Sequence, residues 1–175
     1  MENALISDEY RQQQQLLHQN PNYGVASVAF APLVTEIINT LSVKSLLDYG
    51  AGKGRLAQHI NPKHPIRYTF YDPAIPEWSH LPPPDEMVAC IDVLEHIEPD
   101  RLDSVLNHLK SLVLRVGFFT IHTGPAAKTL PDGRNAHLIQ MPPRWWLSQL
   151  MERFELQRFQ RTDSGFWVIV TPLLK

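Results

Sequence analysis

Carboxylates, glycines and histidines fall at short, ordered intervals through the middle of this sequence. Asp48, Tyr49, Gly50, Ala51, Gly52 and Gly54 stand together, Asp72-Pro73 follows, and Asp92, Val93, Glu95 and His96 come after another short apolar run. Glycines at alternate positions let a chain bend sharply and let a ligand reach peptide groups with no Cβ in the way. Carboxylates around such a bend repel a pyrophosphate and attract a cation. The spacing agrees, because Arg55 stands where a dinucleotide fingerprint needs its third glycine. The expected ligand is a positively charged, phosphate-free nucleoside, and S-adenosylmethionine, with its sulfonium and ammonium, meets that description. Asp72 is placed to accept hydrogen bonds from ribose hydroxyls.

The elements that must position these groups can be read from periodicity. Apolar residues at Phe30, Leu33, Val34, Ile37, Ile38 and Leu41 mark a core helix. Short strands are expected at Lys44 to Tyr49, Ile66 to Tyr71, Met87 to Ile91 and about Val116 to Ile121, so that Asp48, Asp72 and Asp92 lie at carboxyl ends. Between them, a helix follows Gly54 with Leu56, Ala57 and Ile60, and another starts at Pro99 with Leu102, Val105, Leu106, Leu109, Leu112 and Val113 on one face. A last helix bears Trp146, Leu147, Leu150, Met151 and Phe154. Two final β-rich runs, Glu155 to Arg161 and Phe166 to Thr171, are joined by the turn Thr162-Asp163-Ser164-Gly165. Strands alternating with amphipathic helices call for an α/β, Rossmann-like, mostly parallel sheet with helices on both faces and a C-terminal antiparallel hairpin. Residues 1–29 read as an N-terminal arm or lid, in which Tyr23 could close over the site, and residues 30–175 as the domain itself.

Leu46-Leu47-Asp48-Tyr49-Gly50-Ala51-Gly52-Lys53-Gly54 resembles the first motif of class I S-adenosylmethionine-dependent methyltransferases. Tyr71-Asp72-Pro73 resembles the second, and Cys90-Ile91-Asp92-Val93-Leu94-Glu95-His96-Ile97 the segment after the family's fourth strand. The resemblance implies that Asp48 and the glycines hold the methionine end, Asp72 the ribose, and Asp92 with Val93 the wall near the sulfonium. One departure is plain: the fourteen residues between Asp72 and Met87 include Pro73, Pro76, Pro82, Pro83 and Pro84. That is too short and too proline-rich for helix, strand and helix. The third strand is expected to be missing, with adenine held differently, by Ile75 or Trp78.

Methyl transfer to oxygen needs a proton removed, and His96, His122 and His137 are expected on the acceptor side. Each is also compatible with a structural role; His96, for one, could orient the helix after it. Trp146 fits the last helix's core stripe, whereas Trp145 is freer to face a cleft. Asp92, Glu95, His96 and His137 also resemble the carboxylate and histidine set of small-RNA 3′-terminal 2′-O-methyltransferases, which would imply a divalent metal and a ribose acceptor. No metal is assigned on this reading, because Asp-Val-Leu-Glu-His also occurs widely in methyltransferases that use none. A non-catalytic cofactor-binding module and a nicotinamide-dependent oxidoreductase are the remaining alternatives.

With 16 Lys and Arg against 18 Asp and Glu there is no net basic charge to draw the chain onto nucleic acid. Arg153, Arg158 and Arg161, interleaved with Glu152 and Glu155, read as a solvated face. The single cysteine, Cys90, and a start without a secretory pattern suggest a cytoplasmic location, and no apolar run suggests a membrane span. A small-molecule acceptor is the expected partner.

Overall fold

The computed structural model describes residues 5–174. Five helices and six strands follow in order: α1 (Asp8–His18), α2 (Ala26–Leu41), β1 (Ser45–Tyr49), α3 (Arg55–His59), β2 (Arg67–Tyr71), β3 (Asp85–Ile91), α4 (Leu102–Leu112), β4 (Val113–His122), α5 (Pro143–Met151), β5 (Phe154–Arg161) and β6 (Gly165–Pro172). One sheet runs β2-β1-β3-β4-β6-β5. The first four strands in that order are parallel, and β6 is antiparallel to both β4 and β5. This is the expected α/β fold.

Alternation along the central strands divides the core into two layers, because successive side chains point to opposite faces. Leu46, Met87, Ala89 and Phe118 pack with Val34, Ile37 and Ile38 of α2 and Leu56 of α3. Leu47, Val88, Cys90 and Phe119 face the other way, onto Val105, Leu106 and Leu109 of α4 and Trp146 and Leu150 of α5. A smaller cluster joins Ile6 and Tyr10 to Leu130 and Ala136.

Between Asp72 and Asp85 the chain makes only a 3-10 turn at Pro76–Trp78, so no third strand intervenes and β2 is an edge. The prolines account for it. Elsewhere the boundaries differ from expectation. Helix α2 starts at Ala26, within the expected arm, and carries Pro32 inside it. Val113 leaves the expected helix face, because α4 ends at Leu112 and β4 starts directly after it. Arg153 is not solvated: it is buried, donates to Asn107 Oδ1 and the Gln149 carbonyl, and pairs with Asp103 of α4. A charge taken out of water needs such partners.

Candidate functional site

The chain runs from β1 to β2 on one side and reaches β3 on the other, so the strand order reverses at β1, where open α/β sheets bind ligands. A cavity of about 440 Å³ opens there, within the range of small-molecule sites. Asp48, Asp72 and Asp92 all line it.

The bend after β1 is held by the neighbouring strand: Gly50 and Ala51 both donate their N–H groups to the Tyr71 carbonyl, at 2.7 and 3.0 Å. Gly50 sits at φ 79°, and a Cβ there would stand 2.4 Å from Val93 Cγ2. Only glycine fits that contact and that backbone. Asp72 is fixed by two peptide donors, Gly52 N to one oxygen and Ala74 N to the other, each at 2.9 Å. A carboxylate has about four acceptor positions, so capacity remains for a ligand's hydroxyls. Asp48 is buried, and desolvation, with the Asp72 charge second, pushes its carboxyl up to about 7.

On the opposite wall Asp92 adopts φ 58°, held by its N–H donating to Thr120 Oγ1 at 3.0 Å. Left-handed backbone at a non-glycine residue is costly and needs such support. Asp92 Oδ2 lies 4.0 Å from His96 Nε2. Burial opposes charge on Asp92, yet the His96 ring beside it holds the carboxyl below its usual range. Glu95 behaves in the opposite sense: fully buried and next to the Asp92 charge, its carboxyl is pushed well above the ordinary value. Its Oε1 accepts from His122 N at 2.6 Å. Three histidine rings cluster there, with His137 4.7 Å from both His96 and His122 between centroids. Burial lowers the pKa of His137, favouring its neutral form. Asp92, His96 and His137 bring one potential ligand atom each to within 4.8 Å of one another, an arrangement able to hold a cation.

The segment before α2 supplies another wall. His18 places Nε2 3.8 Å from Asp72 Oδ2 and packs edge-on against Tyr23. Gln14 accepts from the Tyr23 hydroxyl at 2.9 Å and donates to that of Tyr10 at 2.7 Å, while Tyr10 donates to the His96 carbonyl. Lys53, Arg55 and Lys128 hold the turn after α1 by donating to the carbonyls of Asn20, Pro21 and Asn22.

A model of the methyltransferase domain family matches residues 25–164. The chain belongs to that family. Among curated proteins none matches it significantly. Solved structures share its fold. One is the 1,6-didemethyltoxoflavin-N1-methyltransferase of Burkholderia thailandensis, with 1,6-didemethyltoxoflavin and S-adenosylhomocysteine bound. It is 15% identical over 95% of this chain and 90% of that one, at TM-score 0.70. The DhpI–S-adenosylhomocysteine complex is 16% identical over 94% and 98%, at TM-score 0.62. Mitomycin 7-O-methyltransferase is 16% identical over 92% and 60%, at TM-score 0.63.

Within this methyltransferase domain the cavity collects Asp48, Tyr49, Gly50, Ala51, Gly52, Asp72, Pro73, Asp92, Val93, His96, His122 and His137. Gly54, expected with the other glycines of the first motif, does not line it. It precedes α3 at φ 65°, where a Cβ would press on Trp78. Nor do Ile75 and Trp78 reach the cavity; Trp78 stacks on Phe70 at 4.8 Å instead. Trp145 faces a separate groove beside Leu102 and Met141, while Trp146 is buried in the core. Sequence reasoning missed Tyr10, Gln14, His18 and Lys128. A histidine closing a polar helix just before a turn gave no motif to find. Among the described residues no helix is long and apolar enough to cross a membrane.

Proposed function

We propose that this methyltransferase-domain protein transfers a methyl group from S-adenosylmethionine to oxygen or nitrogen of a small molecule. The observation that carries the reading is the convergence of Asp48, Asp72 and Asp92 on one cavity beside the Gly50–Gly52 bend. The donor set fits the cofactor. Asp48, half-ionised near neutrality without a ligand, is suited to an ammonium. Asp72, anchored through two peptide N–H groups, accepts from the ribose. Pro73, Ala74 and Val105 supply apolar lining of the kind an adenine ring needs. Tyr49, Ala51 and Val93 complete the wall. Small acceptors named in the structures of similar fold, and the absence of a net basic charge, favour a small molecule over nucleic acid.

The cofactor supplies an electrophilic methyl carbon on a sulfonium. The chain's part is to align an acceptor with that carbon, exclude water and accept a proton. His96, His122 and His137 face the acceptor, and His137, kept neutral by burial, has capacity to take one. The segment before α2, with His18 and Tyr23 on the cavity wall, serves as the cover of the site.

Calorimetric titration with S-adenosylmethionine and S-adenosylhomocysteine tests the reading. Wild-type protein should bind both, and Asp72→Ala should weaken each by about 10- to 100-fold, as expected for losing a charge-assisted hydrogen-bonding group. Wild-type protein that binds neither compound overturns it.

A further inference from the structure

Two of the acceptor-side histidines are oriented for a task that proton transfer alone does not require. His96 places Nδ1 2.8 Å from the Ala136 carbonyl, and His137 places Nδ1 2.7 Å from the Gly124 carbonyl. A carbonyl only accepts, so in both rings Nδ1 carries a hydrogen and Nε2 is the nitrogen left free to meet a ligand. This is the outer support that metal-binding histidines use to fix tautomer and ring direction. Both residues and Asp92 line the cavity, and their three ligand atoms already lie within 4.8 Å of one another. A first-row divalent ion bonds such atoms at roughly 2.0–2.2 Å, so small side-chain rotations bring all three to one ion. Behind them Glu95 is buried beside Asp92, which favours its neutral, protonated form.

We propose that Asp92, His96 and His137 bind one divalent transition-metal ion, and that the ion selects a small acceptor chelating through two adjacent oxygens, such as a catechol or another vicinal diol. Two imidazoles and one carboxylate suit manganese, iron, cobalt or zinc better than magnesium or calcium. Three protein ligands leave open positions for the two oxygens. The second half of the proposal rests on the methyl-transfer reading above. The ion takes up the His137 lone pair that would otherwise accept the proton, and the acceptor hydroxyl, acidified by the ion, gives its proton to solvent instead. Its oxygen lone pair forms the bond to the methyl carbon, and the carbon–sulfur bond breaks with its pair staying on sulfur, leaving S-adenosylhomocysteine as a neutral thioether. The small-molecule source is favoured over the terminal ribose of a nucleic acid because the chain carries 16 basic against 18 acidic residues.

The test uses Co2+ as the probe ion, 4-nitrocatechol as the chelating probe and 4-nitrophenol as its one-oxygen control. Wild-type protein should bind one equivalent of Co2+, visible as d–d absorption, and bound Co2+ should shift the 4-nitrocatechol spectrum while 4-nitrophenol gives no shift. His137→Ala and Asp92→Asn should each weaken Co2+ binding by more than about 100-fold, beyond what loss of an outer partner costs. His59→Ala, an exposed histidine outside the cavity, should bind Co2+ like wild type. Calorimetry with S-adenosylhomocysteine on the same samples reports whether His137→Ala is folded and keeps the cofactor site. Absence of Co2+ binding in wild type, or unchanged binding in a His137→Ala protein that still binds S-adenosylhomocysteine, overturns the metal site and leaves the methyltransferase reading standing. Co2+ binding without S-adenosylhomocysteine binding overturns the methyltransferase reading and supports the ion site alone. Displacement of 4-nitrocatechol by a short RNA with a free 3′ diol, at lower concentration than by catechol itself, overturns the small-molecule assignment.

Discussion

Asp48 gives the site a pH dependence whose sign can be worked out. Its carboxyl titrates from an ordinary 3.8 to about 7 in the folded chain, because burial and the Asp72 charge disfavour the anion. A raised carboxyl contributes stability that is fully present below the unfolded value and is lost as the pH rises through 7. The ligand-free protein should therefore lose stability between about pH 4 and pH 7, and Asp48→Asn should flatten that loss. A cationic cofactor inverts the preference, because its ammonium favours the carboxylate. Affinity for S-adenosylmethionine should rise with pH up to about 7 and then level, by at most about tenfold per pH unit. Calorimetry in buffers of different ionisation enthalpy should detect proton release at pH 6. Affinity independent of pH from 5 to 8 would remove Asp48 from the cofactor site. Gly50 makes a steric prediction on the same wall. Gly50→Ala puts a methyl 2.4 Å from Val93 Cγ2 on backbone at φ 79°. Thermal unfolding should show a loss of roughly 1–3 kcal/mol from the unfavourable backbone alone. Adding Val93→Ala should recover the clash component but not the backbone strain.

At the scale of elements, what was legible followed from periods and from residues with only one physical use. The alternation in β1, β3 and β4 and the three-and-four spacing in α2 and α4 fixed the layers, and the prolines after Asp72 ruled out another strand. The glycine bend and the three strand-end aspartates reached the cavity together because strand termini in such a sheet share one rim. What was not legible depended on tertiary partners. Arg153 looks solvated until Asp103 and Asn107, on α4, are brought beneath it. Gly54 looked like part of the bend, but its left-handed backbone serves the start of α3. The segment carrying α1 has too few apolar residues to announce a core. It is held by polar contacts, of which Ser7 donating to both Glu98 oxygens and Gln14 joining Tyr10 to Tyr23 are the main ones. Gln14→Leu should therefore leave the half-buried Tyr23 hydroxyl without its acceptor and the Tyr10 hydroxyl with only the His96 carbonyl, at a cost of about 1–3 kcal/mol confined to this segment. Hydrogen exchange over residues 8–23 should accelerate while the sheet's protection is unchanged, and S-adenosylhomocysteine affinity should fall several-fold. Faster exchange throughout β1 and β3 would show instead that α1 belongs to the global core.

Over the whole molecule, two apolar layers share one sheet, and that sharing makes the ligand site sensitive to both. The layer beneath α2 and the layer beneath α4 and α5 meet only through β1, β3, β4 and β6, whose alternate side chains enter one or the other. Neither layer keeps a wall if the strands part, so the two should unfold as one cooperative unit. Ile38→Val removes a methylene-sized volume from the first layer and Ile121→Val from the second. Each should cost about 0.5–1.5 kcal/mol. The two losses should add, since the residues lie on opposite faces and share no cluster. Tryptophan fluorescence reads Trp146 in one layer and Trp167 in the other, and circular dichroism reads the sheet, so all probes should report one midpoint. Saturating S-adenosylhomocysteine, bound by loops hung from the same strand ends, should raise that single midpoint in wild type and both variants alike, adding about 2.7 kcal/mol of stability at a hundredfold excess over its Kd. Separate fluorescence and dichroism midpoints, or a ligand shift confined to one variant, would mean that the layers fold independently and that the cavity is built on only one of them.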